Sequence, residues 1–164
     1  MKSEFGIQTG TLADVPQIIA LMEEYWTFEG IAGFERARAA ALLRHLLLQP
    51  HLGTVWAAHE GGRVIGYLVA VLIFSFEYQG LVAEIDELYV SPQVRRDGIG
   101  TALLDVAEAS LAARGCTCVQ LQLGAGNDVA RAFYQCRGYG GRENYELLDK
   151  KLAAPSIEQY VHIT

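Results

Sequence analysis

Cysteine is scarce in this sequence, with three residues among 164. Three thiols cannot all pair with one another. Cys116 and Cys118 are two positions apart, which is a strand spacing, and they do not form the C-x-x-C pattern of zinc sites. The sequence therefore gives no support for a disulfide framework, and we expect reduced cysteines and no bound metal.

Long apolar stretches and excess positive charge are also missing. The apolar run 67–74 is too short to cross a bilayer, and residues 1–8 lack the apolar centre of a signal peptide. We expect no membrane partner and a cytoplasmic location. The 13 Lys and Arg against 19 Asp and Glu leave a net charge of -6, whereas nucleic-acid binders use cations to neutralise phosphates. We expect no nucleic-acid partner; a small cationic substrate suits this charge, although many proteins are equally acidic.

Hydrophobic residues make up 51% of the chain and charged residues 20%, which is the profile of a globular protein. A chain of 164 residues fits one domain of ordinary size. We predict a single domain over 1–164, with a tail over 153–164 that is flexible or packs against a partner.

The hydrophobic periodicity and the breakers predict alternating strands and helices. A capping box at Thr11–Asp14 opens the first helix, which is expected to end near Trp26. The order predicts a mixed α/β sheet. The other predicted elements are a strand around Ile7, a helix over 34–49, strands over 54–60, 63–76 and 81–90, a helix over 98–114, a strand over 119–123, a helix over 127–136 and a final antiparallel strand over 145–151.

Two glycines and two arginines lie between a predicted strand end and a predicted helix start, in the segment Arg95–Gly100. Unpaired N–H groups at a helix N-terminus form a site for phosphates, and glycine lets a ligand approach the backbone closely. The spacing is not that of the dinucleotide fingerprint, since Leu103 stands where the third glycine would be, and no Lys-Ser/Thr pair follows as in a P-loop. A glycine-rich turn with two solvated arginines is the structural alternative.

The pattern Arg95-x-x-Gly98-x-Gly100 resembles the Q/R-x-x-G-x-G/A motif of the GNAT acetyltransferases. The segments 86–92 and 99–104 are similar to the same family, as is the N-x-x-A-x-x-F-Y…G-Y pattern over 127–139. The resemblance implies an acetyl-CoA-dependent N-acetyltransferase. It also implies a central mixed, mostly antiparallel sheet with helices on both faces and a β-bulge with a splayed strand at the acetyl-CoA cleft. Within the family, the chain looks most like the spermidine/spermine acetyltransferases, through Thr11-x-Ala13-Asp14, Phe76-Glu77, Asp86-Glu87 and 137–139.

Cofactor contacts carried over from the family fall in three places: a strand, the glycine-rich turn and a helix start. Asp97 departs from the glycine or lysine common in the family, and its charge would repel pyrophosphate unless it points outward or pairs with Arg95 or Arg96. Asn127 is also a helix cap in its own right. The implied acetyl-CoA contacts are Leu88, Tyr89, Val90, Arg95, Arg96, Asp97, Gly98, Ile99, Gly100, Thr101 and Asn127.

Carboxylates occupy both faces of the strand 81–90, at Glu84, Asp86 and Glu87. An alkylamine is protonated at pH 7, so its attack on a thioester requires a base. The resemblance places that base at Asp86 and makes Tyr134 the general acid. We rank Glu87 second and Glu84 third as the base. The structural alternatives are solvated acids at a cleft edge and a core aromatic.

Aromatic and acidic residues near the end of the first helix and at 76–78 suit an ammonium ion, and in GNAT folds these regions border the acceptor cleft. The leading hypothesis is direct attack by a primary amine of a small molecule, with a polyamine-like amine favoured. The alternatives are a non-catalytic acyl-CoA sensor and a protein or peptide amine acetyltransferase. We also expect a homodimer. The acceptor candidates are Glu23, Glu24, Tyr25, Trp26, Glu29, Phe76, Glu77 and Tyr78.

Overall fold

The computed structural model describes residues 4–153 and 156–161. Within this part of the chain, five strands form one sheet in the order β1-β2-β3-β4-β5. The first four strands pair antiparallel, and β5 runs parallel to β4. The strands are β1 (Gly6–Thr9), β2 (Gly53–Glu60), β3 (Arg63–Ser75), β4 (Gly80–Val90) and β5 (Cys116–Leu121).

Helices cover both faces of the sheet, and each face has its own hydrophobic core. The helices α1 and α2 pack on one face around Tyr67 and Ile18, and α3 packs on the other around Leu68 and Leu103. The predicted mixed α/β fold is confirmed. None of the helices described is long and apolar enough to span a bilayer. The helices are α1 (Val15–Glu29), α2 (Arg36–Leu48), α3 (Ile99–Ala113), α4 (Asp128–Gln135) and α5 (Glu158–Val161).

The predicted capping box at the start of α1 forms part of a buried polar cluster. Asp14 accepts hydrogen bonds from the backbone N–H and hydroxyl of Thr11, both at 2.8 Å, and pairs with His59 Nε2 at 2.8 Å. Helix α1 then runs one turn beyond the predicted end and closes at Gly30, whose φ of 69° allows its N–H to reach the last carbonyls.

A β-bulge interrupts the pairing of β3 with β4. Val69 is opposite Glu87 and Ala70 is opposite Ile85, which leaves Asp86 without a partner on β3. A β-bulge re-aims the side chain of the extra residue and increases the local twist. The bulge therefore turns the Asp86 side chain away from the alternation that governs the rest of β4.

The predicted final strand over 145–151 is wrong, because this segment joins no ladder in the structure. Arg142 holds the chain at the β3–β4 hairpin instead, through an ion pair with Glu77 at 2.7 Å and stacking over the rings of Tyr78 and Tyr145. Asn144 has a φ of 64°, which turns the backbone out of the extended conformation.

The predicted tail over 153–164 falls partly outside the described residues, since 154–155 and 162–164 are not among them. The described part contains α5, which packs on α2 of the same chain, with the ring of Tyr160 5.3 Å from that of His45. At this contact the tail packs on its own domain.

Candidate active site

The strands β4 and β5 separate at the middle of the sheet. Their pairing ends at Ile85 and Leu121, so residues 87–90 of β4 pair with β3 alone and Asp86 pairs with neither strand. The backbone groups of this part of β4 that would otherwise face β5 are therefore available to a ligand. The splayed strand and bulge expected from the family resemblance are confirmed, and Leu88, Tyr89 and Val90 lie along the opened stretch.

A cavity of about 80 Å³ lies where the two strands separate. Asp86 at the bulge and Tyr134 on α4 both line it, as do Tyr25 and Glu29 from the last turns of α1. The fold thus brings together the first-ranked base and the predicted acid from elements almost 50 residues apart. The remaining lining residues are Ile85, Leu88, Leu121, Gln122, Leu123, Gly124, Asn127 and Ala130.

Asp86 is solvent-accessible at the cavity, yet protein atoms crowd its carboxylate closely enough to reduce its hydration. Desolvation raises the pKa of Asp86, and the negative charge of Glu84 raises it further. A carboxylate with a raised pKa is a stronger base than an ordinary surface aspartate.

Tyr134 occupies the wall of the cavity opposite β4. Burial raises its pKa to about 12, so the phenol keeps its proton at neutral pH. Its ring is fixed by edge-on contacts with Phe133 and Tyr139, at 5.1 and 5.4 Å between ring centroids. Among the described residues its hydroxyl has no hydrogen-bond acceptor, so the O–H group is free to donate a hydrogen bond to a ligand.

Asn127 begins α4 and also lines the cavity. Its Oδ1 accepts the backbone N–H of Ala130 at 3.1 Å, which confirms the predicted helix cap. Its Nδ2 donates to Glu29 at 3.4 Å and so links α4 to the end of α1.

The other two candidate carboxylates do not line this cavity. Both oxygens of Glu87 are occupied, one by Trp26 Nε1 at 2.9 Å and the other by the hydroxyl of Tyr67 at 2.8 Å. Glu84 accepts from Gln120 at 2.8 Å and from Gln122 at 3.0 Å. Gln122 and Gly124 also line the cavity, and sequence reasoning missed both because they belong to no recognisable motif.

The glycine-rich turn begins α3 as the sequence predicts. Gly98 is the N-cap with a φ of 84°, and its carbonyl accepts the first helical hydrogen bond, from Ala102. Within the described chain, the N–H groups of Gly98, Ile99 and Gly100 meet no acceptor. A Cβ atom on Gly100 would touch only Phe133 and Val90, at 3.8 and 3.9 Å, which is ordinary contact. Free N–H groups at a helix start are the arrangement that binds phosphate groups in many proteins.

The charged side chains of this turn differ in their surroundings. Arg95 donates to the carbonyl of Val90 at 2.9 Å, and its guanidinium lies over the rings of Phe28 and Tyr89. Arg96 is exposed and has a φ of 73°, a strained backbone conformation for a residue with a side chain. Asp97 is exposed and forms no ion pair with another described residue.

The residues predicted to bind the acceptor fall into two groups, one at the cavity and one away from it. Tyr25 and Glu29 line the cavity, and Trp26 lies behind them on Glu87. Glu23 pairs with Arg36, and Glu24 accepts from Tyr89 at 3.3 Å. Phe76, Glu77 and Tyr78 lie at the β3–β4 hairpin, and none of them lines the cavity.

Comparison with known proteins points in one direction. The profile of the acetyltransferase (GNAT) family matches residues 16–139. The uncharacterized N-acetyltransferase YhfO of Bacillus subtilis is 27% identical over 140 residues, which cover 81% of this chain and 88% of YhfO. The integron cassette protein HFX_CASS3, from the mobile metagenome of Cole Harbour Salt Marsh, is 29% identical with a TM-score of 0.79 and 91% of each chain covered.

A further solved structure is that of AAC(6')-Iy, an aminoglycoside N-acetyltransferase, in complex with the bisubstrate analog CoA-S-monomethyl-acetylneamine. The two chains are 17% identical, the TM-score is 0.79, and the match covers 92% of this chain and all of AAC(6')-Iy. At this identity the likeness concerns the fold.

Proposed function

Because this chain belongs to the GNAT acetyltransferase family and is an acetyl-CoA-dependent N-acetyltransferase, we propose that it acetylates a primary amine of a small cationic molecule, with a polyamine-like amine as the favoured acceptor. The observation that carries the proposal is the cavity shared by Asp86 and Tyr134. Family membership favours this enzyme over a non-catalytic acyl-CoA sensor. The proposed enzyme acts in the cytoplasm, without a nucleic-acid or membrane partner.

The open end of the β4–β5 cleft and the start of α3 together suit acetyl-CoA. In the proposal, the free N–H groups of Gly98, Ile99 and Gly100 bind the pyrophosphate, with Thr101 in the same turn and Arg95 and Arg96 adding positive charge. The opened backbone of 88–90 and the side chain of Asn127 hold the pantetheine arm. Bound acetyl-CoA supplies the acetyl group as an activated thioester.

Asp86 is the proposed base. An alkylamine has a pKa of about 10.4 and reaches the site protonated. The Asp86 carboxylate attracts this cation and accepts its proton, directly or through water, so that the nitrogen lone pair becomes free for attack. The raised pKa of Asp86 supports this role, because it reduces the difference between the pKa of the base and that of the ammonium group.

Tyr134 is the proposed hydrogen-bond donor to the sulfur that leaves. Full transfer of a proton from a phenol of pKa about 12 to a thiolate of ordinary pKa, about 8.5, would be uphill by roughly 5 kcal/mol. The Tyr134 hydroxyl therefore acts chiefly by donating a hydrogen bond as negative charge grows on the sulfur.

Direct attack, without an acyl-enzyme, is supported by the cysteines. Cys116 and Cys118 lie on β5 and Cys136 follows α4, and all three are free. None of them lines the cavity. Burial raises the pKa of the Cys116 thiol, which disfavours the reactive thiolate.

A cationic acceptor is supported by the charges around the cavity. Asp86 and Glu29 contribute two carboxylates, and the aromatic ring of Tyr25 lies beside them. Among the described residues, the lining includes no lysine or arginine. Because the structurally similar AAC(6')-Iy is an aminoglycoside N-acetyltransferase, aminoglycosides belong on the same test panel as the polyamines.

The activity is tested by CoA release from acetyl-CoA with a panel of polyamines, aminoglycosides, amino acids and lysine peptides, and with a blank lacking acceptor. We expect turnover with the di- and polyamines that exceeds turnover with neutral or acidic amino acids. Turnover confined to lysine peptides would replace the small amine by a protein amine. A protein that binds acetyl-CoA but acetylates no acceptor would contradict the proposal.

We also propose a homodimer, supported by the open edge of β5. A groove of about 860 Å³ runs along β5, α4 and the segment 138–147. Leu147 lines this groove, and Leu148 and Leu152, which follow it in sequence, have exposed side chains that a second copy would cover. Sedimentation at several concentrations should show a dimer that Leu148→Asp weakens. Val129→Asp, at an equally exposed position outside the groove, is the control. A wild-type monomer at every concentration would contradict this proposal.

A further inference from the structure

Glu87 joins three elements at the bulge. It follows the unpaired Asp86 on β4, and its carboxylate accepts Trp26 Nε1 of α1 at 2.9 Å and the Tyr67 hydroxyl of β3 at 2.8 Å. Both oxygens are therefore occupied by side chains of the protein. Glu87 also does not line the cavity, so its carboxylate is directed at these protein donors and not at a substrate bound there.

The two donors, Trp26 and Tyr67, differ in the hydrogen bonds that they can form. The indole N–H of Trp26 can only donate, whereas a hydroxyl can donate or accept. Tyr67 is fully buried, and this burial, followed by the charge of Glu87, raises its pKa far above the ordinary value, so it remains a neutral donor. The network needs an oxygen acceptor opposite Trp26, but it does not need a negative charge there.

Trp26 lies in the part of α1 that forms the cavity wall. Its neighbour Tyr25 and the residue Glu29 line the cavity, and its indole packs edge-on against Phe34 at 5.3 Å, beyond the end of the helix. The hydrogen bond to Glu87 thus fastens the last turns of α1 to the strand that carries Asp86.

We propose that Glu87 is a positioning residue that acts through Trp26 to place Tyr25 and Glu29 at the acceptor side of the cavity, and that it is not the base. This inference rests on the proposed function, because it takes the cavity of Asp86 and Tyr134 as the place of transfer. Glu87 thereby becomes a determinant of amine affinity that does not touch the amine.

The test compares Glu87→Gln, Glu87→Leu and Trp26→Phe. A glutamine can accept from Trp26 through its oxygen and donate to the Tyr67 hydroxyl through its amide, whereas leucine can do neither. We expect Glu87→Leu and Trp26→Phe each to raise KM for the amine about tenfold and to leave KM for acetyl-CoA within about twofold. Glu87→Gln should restore KM to within about threefold of wild type and keep the pH profile of kcat.

The double variant Trp26→Phe/Glu87→Leu separates one shared contact from two independent ones. If the two residues act through their mutual hydrogen bond, the double variant is no worse than Glu87→Leu alone. Val55→Ala, which weakens the same core from β2, controls for lost stability and should leave KM for the amine unchanged. A loss of 100-fold or more in kcat for Glu87→Gln, with an altered pH profile, would make Glu87 the base and overturn the proposal.

A readout independent of activity comes from the two indole N–H resonances in a ¹⁵N-labelled protein. The Trp26 resonance should move upfield in Glu87→Leu and stay near its wild-type position in Glu87→Gln, while that of the buried Trp56 serves as the internal control. A Trp26 resonance that does not move in Glu87→Leu would overturn the positioning role. Inactivity of the wild-type enzyme toward every amine overturns the proposed function instead, so the two failures can be told apart.

Discussion

Asp86 and Tyr134 face the same cavity of about 80 Å³, one from the bulge in β4 and the other from α4. The pairing of β4 with β5 ends at Ile85, just before Asp86. The carboxylate and the phenol thus meet where the sheet opens, and the activity should depend on both side chains in different ways.

Tyr134→Phe should lower kcat at least about tenfold, because the hydrogen bond to the departing sulfur is lost while the ring and its packing remain. Acetyl-CoA binding, measured by calorimetry, should persist. The matched control is Tyr139→Phe, which removes a hydroxyl bonded to Glu108 at 2.8 Å outside the cavity. Equal kcat values for the wild type and Tyr134→Phe would remove Tyr134 from the mechanism.

Asp86→Asn should lower kcat about 100-fold, because the amine proton loses its acceptor. In the wild type, kcat should fall as the pH drops through the raised pKa of Asp86, since only the ionised form is a base. The variant should lack this acidic limb in a pH profile recorded at saturating amine. Persistence of the same limb in Asp86→Asn would assign the ionisation to another group.

Asp86→Asn should not lower the stability of the protein, although it should lower kcat. A folded-state pKa above the unfolded value means that folding favours the protonated form of Asp86, so its contribution to stability is present at low pH and is lost as the pH rises through the folded pKa. Asp86→Asn should therefore be at least as stable as wild type at pH 7 in urea unfolding. A large loss of stability at pH 7 would show that the Asp86 charge supports the fold.

Gly100→Ala should separate folding from acetyl-CoA binding. The added methyl group meets only ordinary contacts and improves helix propensity by up to about 1 kcal/mol, so stability should hold or rise. KM for acetyl-CoA should nevertheless rise about tenfold, because the methyl group would crowd a pyrophosphate bound to the N–H groups of this helix start. Gly98→Ala is the contrast: its φ of 84° should make the variant less stable by about 1–2 kcal/mol. An unchanged KM in Gly100→Ala would place the pyrophosphate elsewhere.

Asp14→Asn should destabilise the protein at neutral pH by about 2 kcal/mol, because a buried, hydrogen-bonded charge is removed. Desolvation raises the pKa of Asp14, but the combined hydrogen bonds from His59 and Thr11 lower it below 3.8. The contribution is therefore present above pH 4 and is lost as the pH falls through the lowered pKa. Urea unfolding at pH 7 measures the loss of stability, and unfolding in strong acid shows whether that loss disappears. Asp97→Asn, at an exposed position, is the control. An equal difference at both pH values would contradict the assignment to the Asp14 charge.

Local chemistry in the sequence was enough for several parts of the site. The glycines at 98 and 100 predicted the helix start with free N–H groups, and Asn127 predicted the cap of α4, because both depend on backbone conformations that only a few residue types adopt or stabilise. The turn residues Gly61-Gly62, Gln79-Gly80 and Ser91-Pro92 located the strands β2 to β4 to within one residue, since turns also need backbone conformations that few residue types adopt.

The roles of the three carboxylates were decided only by the tertiary structure. In sequence, Glu84, Asp86 and Glu87 stand nearly side by side, and nothing local separates them. The bulge turns Asp86 into the cavity, the indole of Trp26 and the phenol of Tyr67 hold Glu87, and two glutamines hold Glu84. These outcomes depend on partners 20 to 61 residues away, which a pattern along the chain does not contain.

The C-terminal segment shows the same division. The sequence by itself predicted a strand over 145–151, although four of these seven residues are Glu, Asp or Lys, which are uncommon in strands. The ion pair and ring stacking of Arg142 at the β3–β4 hairpin place the segment away from β5 instead. Strand propensity is a weak local preference, whereas pairing requires an edge within hydrogen-bonding distance, and only the three-dimensional arrangement decides whether that edge is reached.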